Sequence, residues 1–420
     1  MKELRFALIT DLHYFEKSLG AEGEAYEARS LTDQKCIAET GAILESAFAQ
    51  LAADRESEIL LIAGDMTFNG EKESHRWVIQ QLEKLKAGGK RIYVIAGNHD
   101  GDNEPYAFEG DRRFPVEGVT REELKDLYYE YGMKDAIAVD GNRVCYVAQL
   151  GEGVRLLGIN YNLSEGNGGF EESMDWVLEQ IGDAKARGEL IIGMMHVPLL
   201  PGSPILAQVG DAKLKAWQRI AARLADAGLP LVFTGHMHMQ SVNKLTTPGG
   251  NFIFDICTGS LVGGPCAIRK ISIDENWVMR VTSSTVADFD WDKNGMTAEE
   301  YFAWRFNRKI EDEIFSKLKW PVANIVRRSS LLPFGIELVR NVFYGDQPYT
   351  KGTPEYARVM RLLRLGRPVV WAVEKTYGRR HEGFRDVKGL VRGIIGKEEK
   401  VDYEAVVDLR RGTVNEGTPA

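Results

Sequence analysis

RIYVIAGNHD (residues 91–100) joins an apolar run to a glycine and then to three side chains able to bind a metal ion. A short apolar run closed by glycine reads as a strand buried on both faces, which places Asn98, His99 and Asp100 at its carboxyl end. The same construction recurs along the chain. LRFALITDLH (4–13) ends in Asp11 and His13, and EILLIAGD (58–65) ends in Asp65. LIIGMMH (190–196) ends in His196, and LPLVFTGHMH (229–238) in His236 and His238. RVCYVA (143–148) and VRLLGI (154–159) add further strand-like runs, and amphipathic helical patterns fall at roughly 31–53, 71–87, 171–187 and 211–227. This rhythm predicts an α/β fold whose parallel or mixed sheet is covered by helices. Loops at the carboxyl ends of such strands converge on one crevice, so five of the chain's seven histidines are expected in one place.

The mixture of residues points to a metal centre. Imidazole and carboxylate ligands without thiolate suit Mn, Fe, Zn or Ni better than Mg or Ca. Two ions about 3.5–4 Å apart need a shared carboxylate to offset their repulsion. Asp65, an acid just after a glycine at a strand end, is the natural bridge. One-residue spacing in Asp11-x-His13 and His236-x-His238 lets two side chains of one turn reach neighbouring ions. Each motif alone recurs by chance; all of them in this order, each after an apolar run, do not.

Composition narrows the class. The chain has 420 residues, 44 % of them hydrophobic and 27 % charged, an ordinary globular balance. Its net charge of −8 argues against a general nucleic-acid-binding surface. No apolar stretch approaches the ~20 residues of a membrane helix, and the N-terminal apolar run is too short for a signal peptide. Cys36, Cys145, Cys257 and Cys266 lack C-x-x-C spacing and read as reduced thiols of a cytoplasmic protein.

The series D-x-H, G-D, G-N-H-D, H, G-H-x-H resembles the calcineurin-like metallophosphoesterase superfamily over residues 4 to about 280. The resemblance implies a four-layer α/β/β/α sandwich around a dinuclear site that hydrolyses phosphoesters. Carried over by motif, one metal takes Asp11, His13, Asp65 and His238, and the other Asp65, Asn98, His196 and His236. His99 then faces the substrate phosphate as a proton donor or electrostatic stabiliser, with Asp100 as its orienting residue or a turn cap. A metal-bridging hydroxide is the implied nucleophile. Two departures narrow the group. Purple acid phosphatases carry tyrosine three residues after the bridging aspartate, where this chain has Phe68. The protein Ser/Thr phosphatases carry a phosphate-gripping arginine that GDMTFNG (64–70) lacks. What remains is similar to the bacterial cyclic-nucleotide-phosphodiesterase-like branch, including a group with an added helical C-terminal region. The implied function is a phosphodiesterase for small nucleotide-like diesters, using two divalent transition-metal ions, manganese favoured. A phosphomonoesterase, a nucleotide-conjugate pyrophosphatase and a catalytically silent scaffold are the alternatives; an intact His99 and a full ligand set disfavour the last.

The expected organisation is a catalytic domain over 1–285, a linker over 286–296 and an α-helical C-terminal region over 297–420. That region holds 23 Lys and Arg against 17 Asp and Glu, a net +6 beside −14 in the rest. It is expected to pack on the catalytic domain, burying Trp304, Phe306, Trp320 and Trp371, with helices at 297–318, 354–375 and 384–395. LPFG reads as a helix break, and closely spaced strands over 252–282 as an antiparallel meander. Asp290, Asp292, Asn294 and Gly295 imitate the start of a calcium loop, but Tyr301 stands where the loop needs its acid. Thr297 and Glu300 read instead as a capping box. Tyr14, Asn69, His75, Arg112 and Arg113 are weaker candidates for substrate contact. The long inserts 14–30 and 101–120 are expected to be functional or mobile.

Overall fold

The computed structural model describes residues 2–163, 169–202, 213–317, 322–329, 331–347, 349–377, 385–394 and 400–415. The strands begin with β1 (Leu4–Ile9), β2 (Ile59–Ile62), β3 (Arg91–Val94), β4 (Tyr106–Glu109), β5 (Arg112–Pro115), β6 (Ala138–Val139), β7 (Cys145–Gly151), β8 (Val154–Ile159) and β9 (Leu190–Met194). They continue with β10 (Leu231–Thr234), β11 (Ser241–Thr246), β12 (Phe252–Cys257), β13 (Ala267–Ile273), β14 (Val278–Thr285), β15 (Asp346–Gln347), β16 (Lys400–Val401), β17 (Ala405–Asp408) and β18 (Thr413–Asn415).

Side-chain alternation along β1 explains the layers. Leu4, Phe6 and Leu8 enter one core, while Ala7 and Ile9 point into another, as the period-two geometry of a strand requires. Among the described residues, one sheet runs β18-β17-β14-β13-β1-β2-β3 and a second runs β11-β12-β10-β9-β8-β7-β6. Between them lies the first core, where Phe6 and Phe233 meet edge to face at 5.7 Å. Helices Thr40–Ala53 and Lys72–Ala87 cover the outer face of the first sheet with Ile43, Leu44, Val78 and Leu82. Helices Gly169–Ala186 and Lys213–Ala227 cover the second with Met174, Val177, Ala221 and Leu224. The fold is therefore the expected α/β/β/α sandwich. Strands β1, β2 and β3 run parallel, as do β8, β9, β10 and β12, so the loops after β1, β2, β3, β9 and β10 meet at one edge.

Several expectations need correction. The helix expected over 31–53 is two helices, Glu24–Thr32 and Thr40–Ala53. Asp33 ends the first in an extended conformation, and its carboxylate accepts the N–H of Lys35 at 3.0 Å; such an Asp turn competes with the helix. The strands over 252–282 are not a meander. β12 lies in the second sheet between β11 and β10, whereas β13 and β14 pair in the first. LPFG does not break a helix, because Leu331–Tyr344 runs through it with Pro333 in the first turn, where a missing N–H is tolerated. The helix expected at 354–375 divides into Pro354–Leu365 and Arg367–Tyr377 at Gly366.

The C-terminal region is not wholly helical. β17 pairs with β14 and β18 with β17, extending the first sheet. The fully buried Arg269 of β13 fastens this return by donating to the carbonyls of Asp402 (2.9 Å) and Cys257 (2.8 Å). Helix Ala298–Lys317 begins at the expected capping box, with Glu300 N–H donating to Thr297 Oγ1 and Thr297 N–H to Glu300 Oε2. Phe306 is buried, but Trp304 is 37 % and Trp371 62 % exposed; Trp320 lies outside the described residues. Among the described residues no helix is long and apolar enough to cross a membrane. The two inserts pack on each other: Phe15, Tyr26 and Phe108 share one aromatic cluster with Phe68.

Candidate metal centre

The backbone prepares the site before any ligand is considered. The ladder between β1 and β2 continues past both strands, with Asp11 N–H donating to Gly64 O at 2.9 Å and His13 N–H to Asp65 O at 3.0 Å. Asp11, His13, Asp65, His236 and His238 all adopt the left-handed conformation, with φ between 42° and 65°. Each costs of order 1–3 kcal/mol and persists only where the surroundings impose it. Two glycines permit close approach of the loops. A Cβ on Gly97 would lie 2.0 Å from Asp65 Oδ1, and one on Gly235 would lie 2.1 Å from Thr10 Oγ1.

These turns bring the side chains together in two principal groups, and His99 forms a third with His13 and Asp65. Ligand atoms of Asp11, His13 and His238 lie within 4.8 Å of one another, and so do those of Asp65, His196 and His236. In the first group the two Nε2 atoms of His13 and His238 are 3.0 Å apart, and His238 Nε2 is 3.2 Å from Asp11 Oδ1. In the second, His196 Nε2 is 3.2 Å from Asp65 Oδ2 and 3.2 Å from Asn98 Oδ1, and His236 Nδ1 is 2.7 Å from Asn98 Oδ1. Asp65 Oδ2 also stands 3.6 Å from His13 Nε2, so this carboxylate touches both groups. Asp11, His13, Asp65 and His196 are fully buried, whereas Asn98 is exposed and His99 and His236 are half-buried. The cluster is thus closed at its floor and open on one side.

This arrangement fits cations. Asp11 Oδ1 is buried with no hydrogen-bond partner among the described residues, yet it faces two imidazole nitrogens. Burial pushes the Asp11 and Asp65 carboxyls up, but neighbouring histidines outweigh it and hold both well below the usual range. Burial also lowers His196, yet the charges of Asp65 and Asp11 prevail and raise it to about 9. His236 is pushed down to about 4 by burial and by the charge of His196. Two anions fixed among imidazoles that compete for protons form a site that divalent ions satisfy better than protons do. His196 Nδ1 donates to Ala63 O at 2.7 Å, which leaves Nε2 as its ligand atom.

His99 stands at the rim, its ring edge to face with His13 at 5.0 Å, and its backbone N–H donates to Asp65 Oδ1 at 2.8 Å. Asp100 does not orient the His99 ring, which corrects one reading of its role. Its carboxylate is occupied by Gly97 N–H (2.7 Å) and Thr67 N–H (3.0 Å), and burial followed by the charge of Asp65 raises it to about 7. Asp100 therefore fixes the loop that carries Asn98 and His99. His75 is a buried prop behind the same loop: Nε2 donates to Asp100 O and Nδ1 accepts from Tyr128 OH, both at 2.8 Å. Tyr14 is buried and stacked on Trp77 at 3.9 Å. Asn69 donates to Glu104 O at 2.9 Å, Arg113 lies over the Tyr106 ring, and Arg112 is exposed beside Asp111. The sequence reading missed Lys35, whose Nζ lies 3.2 Å from His99 Nε2. It lies in a connection between helices, away from the strand ends that carry the motifs, so no spacing marks it.

The sequence profile of calcineurin-like phosphoesterases matches residues 4–240, more than half of the chain. No curated relative matches. A dimetal phosphatase from Danio rerio is similar in structure, with 14 % identity, 68 % of this chain and 97 % of that chain covered, and a TM-score of 0.48. A purple acid phosphatase from yellow lupin (Lupinus luteus) is similar at 13 % identity over 71 % of this chain and 53 % of that one, with a TM-score of 0.44.

Proposed function

The chain belongs to the calcineurin-like phosphoesterase family, and from that premise we propose that it is a dinuclear-metal phosphodiesterase for small, nucleotide-like diesters. The observation that carries this reading is the convergence of two ligand groups on a shared Asp65 at the open end of the parallel strands. One ion would be held by Asp11, His13, Asp65 and His238, and the other by Asp65, Asn98, His196 and His236. Bound there, two divalent ions, manganese favoured, supply Lewis acidity and a water acidic enough to attack near neutral pH.

The chain's own residues do the rest. Asp65 offsets the repulsion between the cations, and the buried floor excludes bulk water. His99 holds the proton for the leaving oxygen. Nε2 is the ring atom that can reach it, because Nδ1 is buried without a partner among the described residues, and the Lys35 ammonium 3.2 Å away must first give up Nε2. The preference for diesters rests on the likeness of GDMTFNG and its neighbouring motifs to the bacterial cyclic-nucleotide-phosphodiesterase-like branch. The C-terminal region, whose strands β17 and β18 extend the first sheet, is assigned the shaping of substrate access, and the cytoplasm is the proposed location.

Hydrolysis of bis-p-nitrophenyl phosphate against p-nitrophenyl phosphate, with added Mn, tests the proposal. Faster turnover of the diester is expected. Preference for the monoester would replace the reading with a phosphomonoesterase, and no turnover of either by the metal-loaded protein would leave a binding scaffold.

A further inference from the structure

Lys35 is a buried cation that the ligand scheme does not use. It lies in the connection 33–39 between helices Glu24–Thr32 and Thr40–Ala53, and is only 7 % exposed. Its ammonium sits 3.2 Å from His99 Nε2 and 5.2 Å from the centre of the Phe68 ring. Burying a lysine is costly unless its charge is compensated. Here the compensation comes through space from Asp33, Asp65 and Asp11, which offset part of the desolvation that lowers its pKa.

The segment holding Lys35 is fixed on several sides. Cys36 N–H donates to Val262 O at 2.8 Å, and Lys35 N–H to the Asp33 carboxylate. Arg305 of the C-terminal helix donates to Ser30 O at 2.8 Å and pairs with Glu39 at 3.1 Å, while Tyr301 OH donates to Glu39 at 2.6 Å. A flexible surface lysine needs no such scaffold.

We propose that Lys35 binds the phosphoryl group of the substrate, its ammonium donating to a non-bridging oxygen. This inference rests on the hydrolase reading above. The cation comes from a segment outside GDMTFNG, and a diester keeps the non-bridging oxygen that it needs. Phe68, where purple acid phosphatases have tyrosine, is then the apolar face against which the lysine rests. On binding, the ammonium exchanges His99 Nε2 for a phosphate oxygen, which frees Nε2 to take up a proton from water and pass it to the leaving oxygen.

The experiment uses the full chain loaded with Mn, comparing wild type, Lys35→Met and Lys35→Arg. Mn content is measured by elemental analysis and affinity for inorganic phosphate by titration calorimetry. Lys35→Met should keep its Mn and bind phosphate roughly 10–100-fold more weakly, the scale of one hydrogen bond from a charged group. Lys35→Arg should recover most of that loss. Phosphate affinity within twofold of wild type in a Lys35→Met protein that keeps its Mn would overturn the proposal. Should the variants fail to fold, reductive methylation of the wild type decides. Phosphate should protect Lys35 more than the exposed lysines, and equal protection would count against it. Calorimetry reads phosphate binding whether or not the wild type cleaves either ester, so failure of the hydrolase reading is visible separately.

Discussion

Replacing Arg305 by methionine tests how the C-terminal helix supports the cleft. The guanidinium is 8 % exposed, pairs with Glu39 at 3.1 Å and donates to Ser30 O at 2.8 Å. Glu39 is itself 3 % exposed, and after the substitution its carboxylate keeps the Tyr301 hydroxyl as donor. A buried carboxylate stripped of its cation typically costs about 3–5 kcal/mol. Arg305→Met should therefore lower the unfolding free energy by about that amount, read by urea denaturation at fixed Mn. The double variant Arg305→Met/Glu39→Gln removes the stranded charge as well. It should lose less than the sum of the two single variants, with a coupling of roughly 1–3 kcal/mol. Because residues 30 and 39 bracket Lys35, Arg305→Met should also weaken phosphate binding while leaving the Mn content unchanged. A loss below about 1 kcal/mol for the single variant, or strict additivity in the double, would refute the reasoning.

Other outcomes follow from the same geometry. His99→Ala should keep its metals and lose roughly 10²–10⁴-fold in turnover; the deficit should shrink for esters with good leaving groups, and equal deficits would argue against proton donation. Gly97→Ala forces a Cβ to 2.0 Å from Asp65 Oδ1, so the loop must shift; elemental analysis should find metal lost, with turnover down at least ~100-fold, the scale of a 1 Å misplacement. Burial pushes His75 down to about 4 from an ordinary 6.5, so below pH 6.5 the unfolded chain takes up a proton that the folded one refuses. Stability should fall as pH drops from 6.5 to 4, by roughly 3 kcal/mol in all. His75→Gln should remove that part of the acid sensitivity, and an unchanged pH profile in denaturant titrations would contradict it.

The parts of the fold that place the ligands were legible because they obey short-range rules. Short apolar runs marked β1, β2, β3, β9 and β10, and the residues that follow them include the candidate ligands Asp11, His13, Asp65, Asn98, His196, His236 and His238. What escaped depends on contacts distant in sequence. β17 and β18 are short, and their place is decided by the edge of β14 and by Arg269, more than 130 residues away. Asp100 lies within a recognisable motif, but its partner Thr67 comes from another loop. Lys35 carried no signal at all, since its meaning arises only when the 33–39 connection meets His99 and Phe68. The helical break beside it was readable in principle, because Asp33 is followed two residues later by the N–H that its carboxylate accepts.

In the proposed site one chain holds two cations across a shared Asp65. Anomalous diffraction from crystals of the Mn-loaded protein, measured on both sides of the Mn absorption edge, tests it most directly. Two peaks are expected, one among Asp11, His13, Asp65 and His238 and one among Asp65, Asn98, His196 and His236. A single peak, or Mn bound away from Asp65, would contradict it.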